Sequence, residues 1–361
     1  MTSRGVEGSS LGTGHWGLGT NAQFPLLVAL PTRAVPMPVL DERARGATFL
    51  EVPVKAILNS PATTGMGFWS LNPYVGCEFG CTYCYARETH RWRMERAGGT
   101  PVTVPPWLAF EKQILVKTSA AHVLKRTLFP AKLAGASLVI GTATDPYQPA
   151  ERRFRLTRSV LEALLGWRGL SLSIITKSPL VLRDLPILRQ LAERHELTVN
   201  ISLASVDAPL LRRIEARSPA PHARLRALER LAAGGIHAGL LVAPILPGLT
   251  DSREALAALM AAARKVGARY VAGFPLRVGP VTRARLMPHL AAEFPELAER
   301  YARHFAGRDT ASREYLDALT ARLRSLQREY GFEVNPSMGS RSRHAPRSRV
   351  LPEMVEQWSL L

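Results

Sequence analysis

The chain has 361 residues, 46% of them hydrophobic, enough to bury the core of one large domain with extensions and too many for a disordered chain. Its formal charge of +18, from 47 basic residues that are mostly arginine against 29 acidic ones, excludes an acidic solvating protein and makes nucleic acid a candidate partner. Three cysteines, an odd number, exclude a disulfide framework.

Residues 1–45 read as a loose N-terminal arm, Gly- and Ser-rich at first and then carrying Pro31, Pro36 and Pro38. The apolar run 24–30 is too short to span a bilayer and is followed by Pro31. Nothing before it resembles a signal peptide, so a cytoplasmic protein without membrane contact is expected, in a compartment that also keeps thiols reduced. Residues 49–58 are expected to dock the arm on the core. A first strand is expected at 67–75, delivering a cysteine loop from its C-terminal end, and a helix at 85–97 that stops at Gly98-Gly99. Beyond Pro101, Pro105 and Pro106, residues 110–128 mix apolar and charged positions at no single period. From residue 136 the pattern sharpens into apolar β-branched runs alternating with amphipathic stretches. Strands are expected at 137–141, 170–176, 197–203, 238–244 and 268–274, and helices at 157–165, 180–194, 208–214, 223–233 and 252–266.

With the first strand this makes six parallel strands joined by helical crossovers, an α/β fold of the partial (β/α)6 barrel kind. Residues 287–305 and 313–330 read as helices of a C-terminal cap, and 337–349, SMGSRSRHAPRSR, as a basic low-complexity stretch. The expected division is an arm at 1–45, a barrel at 46–280, a helical extension at 281–335 and a basic tail at 336–361.

The barrel is organised around residues 72–87, NPYVGCEFGCTYCYAR, which hold all three cysteines, Cys77, Cys81 and Cys84. Their spacing brings three thiolates to one point from a short loop that Gly76 and Gly80 allow to turn tightly, an arrangement suited to a cluster or a metal ion. Structural zinc is usually closed by four ligands, whereas three thiolates on a 4Fe–4S cubane leave one iron open. CxxxCxxC with an aromatic residue before the last Cys resembles the signature of the radical S-adenosylmethionine superfamily. Together, WSLNPYVGCEFGCTYCYAR, TDPYQPAE and APILPGLTD resemble its branch related to spore photoproduct lyase, over about residues 46–280.

This resemblance implies a 4Fe–4S cluster on Cys77, Cys81 and Cys84 whose open iron is chelated by S-adenosylmethionine. It also implies a reductant such as a ferredoxin or flavodoxin, and a 5'-deoxyadenosyl radical that takes hydrogen from a substrate. In parallel barrels the strand C-termini form the active face. There Thr142, Thr144 and Asp145 offer acceptor oxygens to the cofactor's ammonium group, with a turn and helix cap as the alternative for Asp145-Pro146. Lys177 ends the third strand and suits a carboxylate or phosphate. Asn200 and Ser202, on one face by alternation, and Ser205 beyond them suit ribose hydroxyls or a carboxylate. Glu215, Arg217 and Arg224 match acidic and basic positions of the family, and Arg217 is a candidate for gripping the cofactor carboxylate, with a surface salt bridge as the alternative. Pro244 and Ile245 offer adenine an apolar wall, and Tyr83 offers backbone groups to its edge.

Spore photoproduct lyase uses a further cysteine as hydrogen donor, and this chain has none. That reaction is therefore not expected; it would need another donor, such as Tyr147 or Tyr270. Two function classes follow. One is a radical enzyme acting on nucleic acid, a modified nucleotide or another substrate; the other is a non-catalytic iron–sulfur module serving as a nucleic-acid adaptor. Polar residues at successive strand ends favour the enzyme. Arg341, Arg343, Arg347 and Arg349 are expected to add salt-sensitive contacts to nucleic acid.

Overall fold

The computed structural model describes residues 39–42, 46–90, 104–133 and 135–333. The start of the arm, the Gly98-Gly99 stop and the basic stretch 337–349 lie outside them. The strands are β1 Val39–Glu42, β2 Thr48–Glu51, β3 Leu58–Asn59, β4 Trp69–Leu71, β5 Tyr74–Val75, β6 Gln113–Val116, β7 Ser137–Ile140, β8 Ser171–Thr176, β9 Glu196–Ser202, β10 His237–Ile245 and β11 Val271–Pro275. Seven form one sheet in the order β11-β10-β9-β8-β7-β4-β3. The six from β4 to β11 run parallel, and β3 closes the edge antiparallel to β4. The six parallel strands of the expected incomplete barrel are all present.

Alternation decides which side chains face where. In β9, Val199 and Ile201 join the main apolar core, with Val160 and Leu161 of helix Leu156–Leu164, Leu188 of helix Leu185–Arg194 and Leu228 of helix Pro221–Ala233. Asn200 and Ser202 take the opposite face, inside the barrel, as a two-residue period requires. The lining there is polar: Asn200 Nδ2 donates to Ser173 Oγ at 2.9 Å, and Tyr270 Oη donates to Asn200 Oδ1 at 2.6 Å.

Three features depart from the expected pattern. The first strand ends at Leu71, because Pro73 has no N–H to continue the ladder and the chain crosses to a second sheet. That sheet, β1-β2-β6-β5, takes in residues expected to be arm, docking segment and mixed-period stretch. Its strands bury Phe49, Ile114, Leu115 and Val116. Finally, the expected helix 180–194 is split into a 3-10 turn, Pro179–Asp184, and an α-helix, Leu185–Arg194, that begins with proline in its first turn.

The post-barrel helices serve two places. Helix Arg313–Glu329 covers the edge strand β11, with Leu323 against Gly273 and Gln327 Nε2 donating to Val271 O at 2.8 Å, which satisfies an exposed edge carbonyl. Helices Pro280–Glu293 and Pro295–His304 instead pack beneath the cysteine loop. Leu286, Leu290, Phe294 and Leu297 form a second apolar cluster with Cys77, Phe79, Cys81 and Tyr83.

Candidate active site

The cysteine loop leaves β5 through Gly76, whose φ of 92° and close approach to Phe110 O exclude a side chain. Cys77 N donates to that same carbonyl at 2.9 Å. Gly80, at φ 60°, is tighter still: a Cβ there would fall 1.9 Å from Arg217 Nη2 and 2.5 Å from Glu111 Oε2. Behind the loop, buried Glu111 accepts from Arg87 Nη2 at 2.6 Å and from Arg217, and Arg87 also donates to Cys81 O at 2.7 Å. Gly80→Ala is therefore expected to destabilise the fold by about 2–4 kcal/mol, from backbone strain plus overpacking, as measured by denaturant unfolding. Adding Arg217→Ala should relieve only part of the steric loss, because Glu111 Oε2 still lies 2.5 Å from the new Cβ, and none of the backbone part.

All three thiols are free, Cys77 and Cys81 buried and Cys84 half-buried. Burial pushes Cys77 well above the usual thiol range, and Asp145, Cys81 and Cys84 push it further. Cys84 is raised to about 11 by burial and by Cys81. Burial and mutual repulsion thus oppose negative charge on Cys77 and Cys84, a cost that metal binding relieves. Among the described residues, no three His, Cys, Asp or Glu side chains are gathered for a single metal ion. Thiolates on a cubane sit on separate irons, so the donor set fits an iron–sulfur group.

Positive charge waits beside Cys81. Lys177 Nζ lies 3.2 Å from Cys81 Sγ, 2.7 Å from Tyr83 Oη and 2.8 Å from Glu215 Oε1, and it sits 4.8 Å from the Tyr83 ring centroid. Tyr83 Oη and Arg224 Nη2 both donate to the same Glu215 carboxylate. Arg224, 1% exposed, also reaches Ser202 O at 3.0 Å and Pro219 O at 2.7 Å. Burial alone would raise the Glu215 carboxyl, but Arg224 and Lys177 outweigh it and hold it down to about 2. For Lys177 the order is similar: burial would lower it, yet Cys81 and Glu215 keep it charged. Two cations and one anion leave a net positive site next to Cys81. Ser218 Oγ completes the surroundings at 3.4 Å from Cys81 Sγ.

The expected residues after β7 clasp the cysteine loop. Thr144 Oγ1 donates to Gly76 O at 2.6 Å, Gln148 Nε2 donates to the same carbonyl at 3.1 Å, and Gln148 Oε1 accepts from Glu78 N at 2.9 Å. Thr142 Oγ1 accepts from Asn72 Nδ2 at 3.2 Å, and its carbonyl accepts from Tyr85 Oη at 2.6 Å. Asp145 braces the next strand end, taking Thr176 Oγ1 at 2.6 Å, Lys177 N at 2.7 Å and Tyr147 N at 2.9 Å. Burial raises its carboxyl, and these donors only partly offset the rise.

The remaining candidates are more scattered. Ser202 Oγ donates to Ala243 O at 3.2 Å, with half-buried Pro244 next in the chain. Arg217 lies on the outer side of the loop, donating to Glu78 O at 2.6 Å. Ile245 is packed in the main apolar core. Asn200 is held within the barrel by Ser173 and Tyr270, and the Tyr270 ring lies over Gly239 near the N-terminal end of β10. Tyr147 is fully buried. Glu111 and Gln148 were not among the expected residues. Gln148 stands inside TDPYQPAE and was open to notice there; Glu111 carries no local signal.

The cysteine loop follows the C-terminal end of β4, and the residues around it follow β7, β8 and β9 in turn. Fold and site define an α/β-barrel protein with three free thiols on a loop at the C-terminal ends of its strands. The model of the radical SAM superfamily matches residues 71–260. The chain belongs to that superfamily and is a radical SAM enzyme; the family uses a 4Fe–4S cluster and S-adenosylmethionine with an electron donor. It is 36% identical over 300 residues to an uncharacterised protein of Mycobacterium tuberculosis, covering 82% of this chain and 84% of that one. To an uncharacterised protein of Methanocaldococcus jannaschii it is 30% identical over 181 residues, covering 50% of this chain and 61% of the other. Among solved structures it is similar to a spore photoproduct lyase variant with bound AdoMet and dinucleoside spore photoproduct. The TM-score is 0.56 at 16% identity, over 78% of this chain and 79% of that one, and the likeness shows the fold. Among the described residues no helix is long and apolar enough to cross a membrane.

Proposed function

We propose that Cys77, Cys81 and Cys84 hold the 4Fe–4S cluster, that the strand-end residues around them hold S-adenosylmethionine, and that hydrogen is taken from a nucleic acid or nucleotide. The observation that carries the site is the set of three free thiols on one glycine-hinged loop, with Lys177 charged beside Cys81. The substrate class is supported by the charge of +18. The barrel, 46–280, is then the catalytic unit and 281–335 its support.

The chemistry the cofactors supply is reductive cleavage of S-adenosylmethionine to methionine and a hydrogen-abstracting 5'-deoxyadenosyl radical. The protein's part is placement. Thr144 and Gln148 fix the Gly76 carbonyl and so the start of the loop. Arg87 fixes the Cys81 carbonyl, and Thr282 Oγ1 donates to the Cys84 carbonyl at 3.2 Å. Thr142 and Asp145 are assigned to the cofactor's ammonium, Ser202 to its hydroxyls or carboxylate, and Pro244 with Tyr83 to adenine. Every thiol is used by the loop, so a reaction that needs a further cysteine is not proposed.

The test is anaerobic reconstitution, reduction with dithionite and measurement of 5'-deoxyadenosine, with and without added nucleic acid. Formation that depends on S-adenosylmethionine and rises with nucleic acid is expected. Cluster-loaded protein that forms none overturns the assignment, and formation indifferent to nucleic acid removes that substrate class.

A further inference from the structure

Between Glu111 and Asp145 the chain carries no acidic residue, and within that stretch Lys125, Arg126 and Lys132 all stand exposed. Lys125 and Arg126 occupy the last turn of helix Ala120–Thr127, where a helix C-terminus favours cations. That accounts for two charges and for nothing beyond the helix end. There Phe129 is 56% exposed. Its neighbours hold it outward: Leu124, Leu128 and Leu133 are buried in the main apolar core, so the segment is anchored on both sides and the ring is left at the surface. The 3-10 turn Pro130–Leu133 then brings Lys132 back, its N donating to Phe129 O at 2.9 Å and its Nζ 5.2 Å from the ring centroid. Among the described residues none of the three cations pairs with a carboxylate.

The place of this patch in the fold separates it from the cofactor site. Strand β7 runs toward the face that carries the cysteine loop, and Phe129 and Lys132 lie shortly before its first residue, Ser137. They stand toward the opposite end, with the length of β7, about 13 Å, between. A free nucleotide in the barrel mouth cannot reach them, whereas a polymer can. Cations around an exposed ring match a single strand in particular, because its phosphates and its base faces are both open, while a duplex keeps its bases stacked. We propose that Lys125, Arg126, Phe129 and Lys132 bind a single-stranded stretch of nucleic acid, the cations on phosphates and the ring against a base. The inference rests on the nucleic-acid reading of the substrate made above and narrows it from nucleotide to polymer: a strand is gripped on the flank of the barrel while another part of it enters the mouth.

The full chain, reconstituted anaerobically, is titrated with labelled single strands of DNA and RNA of about 20 nucleotides, the matching DNA duplex and a dinucleotide, and fluorescence anisotropy is read over a range of salt. It is compared with Phe129→Ala and with Lys125→Gln/Arg126→Gln/Lys132→Gln, equal far-UV circular dichroism being the check on folding. Losing three phosphate contacts should weaken single-strand binding about tenfold or more at low salt and flatten the slope of log affinity against log salt by about two units. Phe129→Ala should weaken it about five- to a hundredfold with the slope unchanged, and weaken duplex binding far less. Dinucleotide binding should be equal in all three proteins. Equal strand affinities and slopes in all three overturn the patch, as does a parent that binds neither strand at low salt, which leaves these cations to an acidic protein surface. A triple-variant loss equal on duplex and strand, with Phe129→Ala neutral, overturns the single-strand assignment. Formation of 5'-deoxyadenosine separates the patch from the reading it rests on. A parent that binds strands through these residues and forms none fails the assigned activity and leaves the patch standing. A parent stimulated equally by strand and dinucleotide, with both variants indistinguishable from it, keeps the activity and loses the patch.

Discussion

Protein carrying Cys81→Ser is expected to form no measurable 5'-deoxyadenosine and to lose most of its iron, against about four irons per chain in the parent. Three thiolates are the fewest that leave a cubane with one open iron, and Cys81 is the one that Lys177 and Ser218 both approach. A serine hydroxyl ionises far less readily than a thiol, so the charge that would hold iron is missing at neutral pH. Iron analysis and the EPR spectrum of the reduced protein, with and without S-adenosylmethionine, check this. Full iron with an unchanged spectrum would remove Cys81 from the ligand set, and stoichiometric zinc without iron in the parent would remove the cluster.

The second large effect concerns stability. Glu215, 2% exposed, is the single anion joining Lys177, Tyr83 and Arg224, so Glu215→Gln leaves buried Arg224 and half-buried Lys177 without their counter-charge. Breaking a buried pair from one side costs roughly 3–5 kcal/mol, and denaturant unfolding at neutral pH should show a loss of that order. Removing both partners, Glu215→Leu with Arg224→Met, should cost less than the single change, because no unpaired charge remains at that pair. The acid side has a definite sign. The folded carboxyl sits at about 2, below its ordinary 4.5, so its contribution is complete above pH 4.5 and is lost as the pH falls from 4.5 through 2. Glu215→Gln should remove that part of the pH slope, and an unchanged slope would mean that the carboxyl is not the group being held down.

How much was readable in the chain depended on how local each signal was. The strands β7 to β11 are runs of β-branched and apolar residues bounded by turns and separated by amphipathic helices, and every one appears where the pattern put it, within a few residues. The cysteine triad is equally local. The four-stranded sheet is not: β5 has two residues, β2 and β6 have four each, and Thr48 pairs with Gln113 far along the chain, so no window contains the partner that makes either a strand. At the site, Lys177, Glu215 and Arg224 each read equally well as a surface charge, and only the meeting of the loops after β8 and β9 buries them together. Arg217, two residues from Glu215, shows the opposite outcome, half in solvent and braced on the outside of the loop. Asp145 combines both readings, at a turn and yet fixed to Lys177 N at the next strand end.

The helices beneath the cysteine loop also order events in the protein's synthesis. Thr282, whose hydroxyl supports the Cys84 carbonyl, lies 198 residues further along the chain. At a synthesis rate of about 5–20 residues per second, the thiols leave the ribosome roughly 10–40 s before their seat exists. A nascent chain therefore presents three reduced thiols on an unsupported loop while the barrel is still being made. The loop gains its support only once helices Pro280–Glu293 and Pro295–His304 have been made and have packed against it. A chain cut after β11 would keep every cysteine and lack the platform on which they rest.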